Sequence, residues 1–173
     1  MAAVGFATFD TALGLCAVAW NADGIVGVWL PEASPEVLVR RVRHRHPDAA
    51  ESLPPAAVAA AIAAMTALLA GEEVDLRDVT LDLSAVPEVH RRIYAVARDL
   101  PPGVTRTYGE LARAAGLPGG AQVVGQAMGA NPCPIVVPCH RVVAAGGGNG
   151  GFSAPGGVDT KLRLLAIEGA TLF

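Results

Sequence analysis

The chain has 173 residues, of which 52% are hydrophobic, so its length suits one domain or two small ones with a sizeable core. The longest apolar run, residues 56–70, is too short to span a bilayer, and no signal sequence is expected at the start of the chain. The three cysteines include no CxxC pair, which argues against a disulfide framework or a zinc site. The net charge is −3, but the two halves differ. Residues 1–85 carry 5 Lys and Arg and 11 Asp and Glu, a charge of −6, whereas residues 86–173 carry 8 Lys and Arg and 5 Asp and Glu, a charge of +3. The second half is therefore the one whose charge is compatible with binding nucleic acid.

The first half of the chain reads as short strands followed by helices. Three strands are predicted where apolar runs are separated by turn-rich segments, at Val4–Thr8, Leu15–Trp20 and Ile25–Leu30. Helices are predicted from Pro35 to about Arg45 and from Pro55 to Ala70, and the alternating apolar residues of 79–83 predict one more strand. This pattern indicates a small N-terminal α/β domain with antiparallel strands, covering residues 1–85.

The second half reads as helical. An apolar face between Val89 and Leu100 predicts one helix, and Thr107 with Glu110 three residues later is a capping box that opens another. That second helix is expected to end at Gly116, a short turn leads to a helix at 120–130, and a last helix is predicted at 159–168. The chain is therefore predicted to be α+β, with a helical C-terminal domain, residues 86–173, that contains a winged-helix-like helix-turn-helix.

The helix predicted at 120–130 carries small residues where a major-groove recognition helix usually carries long polar ones. The small residues are Gly119, Gly120, Ala121, Gly125, Gly129 and Ala130. A helix of this kind can approach the minor groove of DNA closely. Tight packing between helices of the protein explains the same residues, and on this feature alone packing is the favoured interpretation.

Residues 131–143 contain the best candidates for chemistry. Three prolines and a run of β-branched residues predict a rigid, extended and buried segment that ends in Cys139, followed by His140. A thiol reacts as the thiolate, and His140 could take its proton directly or through a water. Glu168, on the last predicted helix, is a candidate to orient that histidine. The alternative is a buried structural thiol beside an unrelated histidine, and a Cys-His pair taken by itself favours this alternative.

Context changes this balance, because the sequence around Cys139 resembles a known family. Pro-Cys-His-Arg (138–141) after Ile-Val-Val (135–137) is similar to the active-site signature of the O6-alkylguanine-DNA alkyltransferase family, also called methylated-DNA–protein-cysteine methyltransferases. The similarity continues at 107–112, 124–132, 151–153 and 161–169. It covers about residues 88–170, whereas the N-terminal half resembles the family only in size and in strand–helix order.

The resemblance implies a repair enzyme that rotates O6-alkylguanine out of double-stranded DNA and transfers the alkyl group irreversibly to its own cysteine, once per molecule. It implies that Cys139 is the nucleophile, that His140 is a water-assisted base, and that Glu168 holds the histidine in the right tautomer. Asn131 would brace the turn before the active-site segment. Tyr108 would press on a phosphate and donate a proton toward guanine O6. No cofactor and no metal are expected.

The resemblance also implies a set of residues that contact DNA or the flipped base. These are Thr107, Ala121, Gln122, Gly125, Met128, Arg141, Val142 and Ser153. Ser153 would hydrogen-bond the base, and the backbone carbonyls of Cys139 and Val142 would read the guanine amino group. Gln122 stands where the family usually has an arginine that fills the gap left by the base, so weaker DNA affinity or less efficient flipping is expected. Phe152 stands where tyrosine is common.

Two other functions are compatible with parts of this pattern. A sensor that binds alkylated DNA without repairing it, and recruits other repair factors, is kept open by Gln122, although sensors of that kind usually lack the cysteine. A Cys-His-Glu hydrolase would need an oxyanion site that the sequence does not suggest. The expected protein is a monomer that binds DNA through the minor groove, has no membrane partner, and is cytoplasmic, in the bacterial cytosol or nucleoid.

The remaining candidate residues are predicted to have structural roles or none. His44 and His46, at the arginine-rich end of the first helix, are interpreted as part of a solvated face, and Cys16 and Cys133 as structural thiols.

Overall fold

The structure of the chain is a computed structural model that describes residues 2–147 and 156–170. It divides into two compact units, Met1–Ala85 and Val86–Phe173. Each unit has its own buried residues and its own hydrogen-bonded strands. Among the residues described, no helix has the length and the apolar composition that crossing a membrane requires.

The N-terminal unit is built on a four-stranded sheet with the order β3-β2-β1-β4. Its strands are β1 (Gly5–Thr11), β2 (Gly14–Trp20), β3 (Ile25–Trp29) and the short β4 (Ala50–Glu51). The first three strands pair antiparallel, as predicted, and β4 pairs parallel to β1. Strand β4 was not predicted, because a strand of 2 residues is too short to show an alternation of apolar and polar residues.

Two helices complete this unit, and their predicted bounds are confirmed to within a residue. They are α1 (Pro35–Arg45) and α2 (Ala56–Leu69). The hydroxyl of Ser34 caps α1 by accepting a hydrogen bond from the Val37 N–H at 3.2 Å. On its inner face, Leu38 and Val42 are buried in a cluster that includes Phe6 of β1. One face of α1 is thereby anchored and the opposite face is left to solvent.

Two predictions about this unit are wrong. Residues 79–83 do not form a strand; the backbone makes only an isolated bridge between Ile25 and Leu81, because the segment crosses the end of β3 and then leaves it. His46 is not solvated but 8% exposed. Its Nδ1 lies 3.4 Å from the Ala3 N–H and its ring packs edge-on against Trp29. Burial, together with the charges of Arg45 and the N-terminus, lowers the pKa of His46.

In the described residues of the C-terminal unit, four α-helices surround short 3-10 turns and a two-stranded parallel sheet. The helices are α3 (Glu88–Arg98), α4 (Tyr108–Ala114), α5 (Ala121–Gly129) and α6 (Gly157–Ile167), and the strands are β5 (Arg106–Thr107) and β6 (Val142–Val143). All four helices were predicted, and α4 with α5 forms the predicted helix-turn-helix. The buried Tyr94 of α3 ties this pair to its neighbour, since its hydroxyl donates to the Ala127 carbonyl at 2.6 Å.

The two short strands of this unit place the start of α4 beside the segment that contains Cys139. They were not predicted, yet their pairing sets Thr107 opposite Val143. Thr107 is the residue directly before α4, and Val143 lies four positions after Cys139. The first turn of α4 is therefore brought beside the segment that carries the reactive-residue candidates.

Candidate active site

Cys139 begins a short 3-10 turn, Cys139–Arg141, that leads directly into β6. Its N–H donates to the Val137 carbonyl at 2.8 Å, and the Arg141 N–H donates to the Pro138 carbonyl at 2.9 Å. Cys139 is 6% exposed. A backbone tied down on both sides thus presents a nearly buried thiol.

The segment before the thiol is held by Asn131. Its side-chain amide donates to the Val137 carbonyl at 2.9 Å, and its side-chain oxygen accepts from the Cys133 N–H at 3.0 Å. Between these points Ile135 has φ +75°, a left-handed conformation that β-branched residues rarely adopt and that costs on the order of 1–3 kcal/mol. A strained backbone conformation persists only where its surroundings hold it. The two hydrogen bonds of the Asn131 side chain lie on either side of Ile135, as the predicted bracing role requires.

His140 lies inside the protein against Glu168. Its Nε2 is 2.7 Å from a carboxylate oxygen of Glu168, and the two side chains are 1% and 2% exposed. The carboxylate accepts, so Nε2 carries the proton and Nδ1 is left as an acceptor in the neutral ring. Nδ1 is buried and has no hydrogen-bond partner among the residues that the structure describes. Burial lowers the pKa of His140, although Glu168 opposes that effect, so the ring is neutral and can take up a proton at Nδ1.

Arg141 is the second partner of Glu168. Its Nε and a terminal nitrogen donate to the carboxylate at distances down to 2.6 Å, and its other terminal nitrogen donates to the Leu100 carbonyl at 2.6 Å. Arg141 was placed among the DNA-contacting residues, but the structure places it inside the protein, 5% exposed. Burial raises the pKa of Glu168; His140 and Arg141 outweigh burial and bring it down to about 2. Glu168 is therefore ionised and shared between the two side chains.

Lys161 is a buried cation to which the sequence analysis gave no role. It is fully buried on α6, its ammonium donates to the Val142 carbonyl at 2.7 Å, and it lies 5.9 Å from the centroid of the Tyr108 ring. Its burial could have been predicted from helical spacing, because Lys161 lies three residues before Leu164 and four before Leu165, which are both buried on the inner face of α6. Burial lowers the pKa of Lys161 to about 8, and a charge on Cys139 opposes this.

The thiol is protonated in the resting protein. Burial raises the pKa of Cys139, and the Asn131 amide, the Lys161 ammonium and nearby backbone N–H groups oppose the rise only in part. The same groups are the ones that would favour the thiolate once the proton is removed. At the other two cysteines a single group opposes burial: burial raises the pKa of Cys16 to about 11 against the Thr11 hydroxyl, and that of Cys133 to about 12 against the charge of Arg98.

Tyr108 is the first residue of α4 and is half-buried. Burial raises its pKa, and so does a charge on Cys139, so the hydroxyl keeps its proton at neutral pH. Thr107 caps the helix: its hydroxyl oxygen accepts from the Glu110 N–H at 3.1 Å and lies 3.1 Å from the Glu110 carboxylate, which confirms the predicted capping interaction. That hydroxyl is engaged within the protein rather than directed to solvent alone.

Helix α5 has one buried and one exposed face. Val124, Ala127 and Met128 are buried, so Met128, placed among the DNA-contacting residues, lies in the core. Ala121, Gln122 and Gly125 are exposed. A Cβ built on Gly125 would meet no heavy atom within 4 Å. The packing interpretation of the small residues is thus wrong at Gly125, where nothing described in the chain needs the space.

The other predicted contacts are Val142 and Ser153. The Val142 carbonyl, expected to read a guanine amino group, already accepts a hydrogen bond from Lys161. Ser153 lies outside the described residues, as does Phe152. The described ranges contain no cluster of three or more His, Cys, Asp or Glu side chains that could hold a metal ion.

Comparisons with known proteins agree with this geometry. Residues 88–170 match the family described as 6-O-methylguanine DNA methyltransferase, DNA binding domain. A methylated-DNA–protein-cysteine methyltransferase of Mycolicibacterium paratuberculosis is 46% identical over 114 residues, 66% of this chain and 67% of the relative. The protein of that name from Methanothermobacter thermautotrophicus is 36% identical over 155 residues, 90% and 80% of the two chains. The crystal structure of Mycobacterium tuberculosis OGT in complex with DNA matches with a TM-score of 0.77 at 32% identity, covering 95% of this chain and 92% of that one.

Proposed function

Because the chain belongs to the methylated-DNA–protein-cysteine methyltransferase family, we propose that Cys139 is the residue to which it transfers the alkyl group of an O6-alkylated guanine. Membership makes the chain a DNA-binding repair protein that moves the alkyl group from DNA to a cysteine of its own. The acceptor, the lesion and the way in which DNA is bound are our proposals. Residues 86–173 are the DNA-binding and alkyl-acceptor domain, and the protein acts as a monomer.

One observation carries this proposal, the unpartnered Nδ1 of His140, the residue that follows Cys139. Glu168 accepts a hydrogen bond from Nε2 and so leaves Nδ1 as a buried acceptor one residue from Cys139. A buried acceptor of this kind costs free energy unless a donor completes it. A water between the thiol and Nδ1 supplies that donor and gives the thiol proton a path to the ring. The arrangement supports a thiol that is activated by a positioned base.

The reaction then balances as a single displacement. The thiol proton passes to His140, the sulfur attacks the alkyl carbon, an S–C bond forms, and the bond between that carbon and guanine O6 breaks. The hydroxyl of Tyr108 gives its proton to the departing guanine, which leaves neutral, and the proton held by His140 restores the tyrosine. Lys161 offsets the negative charge on sulfur during the attack. A thioether is a poor leaving group, so each molecule reacts once.

DNA is bound through the exposed face of α5. Small side chains at Ala121 and Gly125 let the helix backbone come close to a narrow groove, which suits the minor groove. The O6 atom of a paired guanine lies inside the duplex, so the nucleotide must rotate out to reach Cys139. Gln122 fills the gap and hydrogen-bonds the orphaned partner base without adding charge. The Val142 carbonyl reads the guanine amino group and shares that oxygen with Lys161.

Intact-protein mass spectrometry after mixing with a duplex that contains O6-methylguanine tests the proposal. We expect the mass to rise by one methyl group, with the modification on the Cys139 peptide. Cys139→Ala must abolish the gain and keep binding to the damaged duplex. Cys133→Ala is the matched control, since it removes a buried thiol six residues away, and it must still be alkylated at Cys139. Retained binding without any mass gain in the unmodified chain would favour the sensor alternative.

A further inference from the structure

Helix α1 of the N-terminal unit concentrates positive charge in an acidic surrounding. Four of the five arginines among residues 1–85 lie within six positions of this helix; they are Arg40, Arg41, Arg43 and Arg45. With Glu36, α1 carries 4 − 1 = +3. The rest of residues 1–85 carries Arg77 against 10 Asp and Glu, which gives 1 − 10 = −9. The charge is therefore gathered on one helix rather than spread over the unit.

The four arginines form an exposed and rigid surface, here called the α1 basic face. Each of them is exposed. Leu38 and Val42 anchor the helix in the core, and Ser34 caps its first turn. The positions of the guanidinium groups are thus set by a packed helix and not by a loop.

The stability of the helix does not explain this face. Cations in the last turn, such as Arg43 and Arg45, interact favourably with the helix dipole, but Arg40 and Arg41 precede that turn. Arg41 and Arg45 are like charges at i and i+4, a spacing that destabilises an isolated helix. Helix stability alone therefore does not account for four arginines within six residues.

Internal pairing accounts for only half of the face. Arg41 pairs with Glu32 at 2.7 Å, and Arg43 lies 5.6 Å from the centroid of the Phe6 ring. Arg40 and Arg45 make no ion pair or side-chain hydrogen bond with any residue in the part of the chain that the structure describes. Two exposed arginines on a rigid scaffold are therefore available to an external anion.

The helix that is proposed to enter the groove, α5, supplies no charge of its own, and the exposed arginines of the C-terminal unit lie on other elements. Helix α5 has no charged residue, and the buried Arg141 and Lys161 are engaged with Glu168 and the Val142 carbonyl. Arginine guanidinium groups match phosphate oxygens in pairs, and phosphate contacts supply most of the sequence-independent affinity of DNA-binding proteins. We propose that the α1 basic face binds the phosphate backbone of duplex DNA through Arg40 and Arg45. This inference adds a second contact surface to the proposed function and rests on its DNA-binding part alone.

The test is equilibrium binding of an undamaged duplex by the full chain across a range of salt concentrations. Arg40→Gln and Arg45→Gln are each expected to weaken binding several-fold at low salt and to reduce the slope of log K against log salt by about 0.9, the loss of one phosphate contact. Arg77→Gln is the matched control, because Arg77 is an exposed arginine of the same unit with 59% of its side chain accessible. It removes the same charge and must leave affinity and slope unchanged.

Two results would overturn the inference: equal losses in all three variants, which would indicate net charge alone, or no loss in either α1 variant. Arg45→Lys, which keeps the charge, must retain most of the slope, and melting temperatures show whether a variant is folded. Methyl transfer to Cys139 from the free base O6-methylguanine is measured on the same preparations and must stay unchanged. If that transfer fails in the unmodified chain, the proposed acceptor is wrong while the salt slope still tests the α1 basic face.

Discussion

All five arginines of the N-terminal unit are exposed, whereas two of the eight cations of the C-terminal unit are buried. In the N-terminal unit the arginines stand in solvent on α1, surrounded by an acidic chain. In the C-terminal unit Arg141 and Lys161 are buried, and Glu168 binds the arginine together with His140. The formal charge of +3 for the second half therefore includes two buried cations and one buried anion, Glu168. Two of the positive charges in the second half lie inside it, where Arg141 pairs with Glu168 and Lys161 favours the thiolate of Cys139.

The largest effect is expected at Glu168, the carboxylate of the buried charge network in the C-terminal unit. Glu168→Gln removes the carboxylate that both His140 and Arg141 need, and it leaves the buried guanidinium without a counter-charge. We expect a loss of about 3–5 kcal/mol in the free energy of unfolding, as for other buried ion pairs that lose one partner. The single-turnover rate should fall about 100-fold or more, because the base loses its orientation. Denaturant unfolding and rapid-quench transfer assays measure the two effects.

The matched control for that change is Glu88→Gln, at an exposed carboxylate in the first turn of α3. It should alter the unfolding free energy by less than about 1 kcal/mol and leave the rate intact. If Glu168→Gln were as mild as the control, the buried network would have no special role and the contrast between the units would fail.

The contribution of ionised Glu168 to stability can also be measured from the pH dependence of unfolding. The pKa of Glu168 is about 2 in the folded chain, below the roughly 4.3 of an unfolded glutamate. The unfolded state then binds the proton first, so the stabilisation by Glu168 is complete above about pH 4.3 and is lost as the pH falls toward 2. Unfolding measured between pH 6 and 3 should show this loss in the unmodified chain and a shallower dependence in Glu168→Gln.

Asn131→Ala is expected to have the next largest effect. It leaves the Cys133 N–H without its partner, and it removes one of the two hydrogen bonds that the Val137 carbonyl accepts, the other coming from the Cys139 N–H. An unsatisfied buried group costs about 1–3 kcal/mol. The transfer rate should fall as well, because the segment with Ile135 in a left-handed conformation loses its brace. A stable variant with a normal rate would show that the backbone holds Cys139 without help. Thermal unfolding and single-turnover kinetics distinguish these outcomes.

Lys161→Met separates electrostatics from packing at the thiol. A side chain of similar length keeps the volume but removes the cation, so the pKa of Cys139 should rise further and the transfer rate at neutral pH should fall. The rate profile should shift to higher pH, which a packing defect alone would not cause. Arg163→Met, an exposed position on the same helix, is the control and should leave the profile unchanged.

The smallest effects are expected at Gly125, on the face of α5 that nothing described in the chain covers. Gly125→Ala should stabilise the chain by about 0.5–1 kcal/mol, because an open helical glycine gains from a methyl group. Gly125→Leu should fold equally well and yet bind duplex DNA more weakly, since a large side chain holds the helix away from the groove. Equal affinities for all three forms would count against close approach through α5.

Much of this protein was determined by its sequence alone. The helix bounds follow from capping residues and apolar periodicity, and the Cys139, His140 and Glu168 set follows from the motifs around them. Errors arose where local signals were short or ambiguous. The segment at 79–83 alternates like a strand but makes a single bridge, and β4, β5 and β6 have 2 residues each, too few for any period.

Only the tertiary structure decided which charges are internal. Arg141 was expected to contact DNA and Lys161 was given no role. An ionised side chain is rarely buried without a partner, and here the partners lie 27 positions away at Glu168 and 19 positions away at Val142. Likewise, the small residues of α5 looked like packing residues until the absence of any neighbour within 4 Å of a Cβ on Gly125 was known. Sequence carries the identity of reactive groups and local periodicity, but burial and pairing depend on contacts between distant segments, which the fold alone creates.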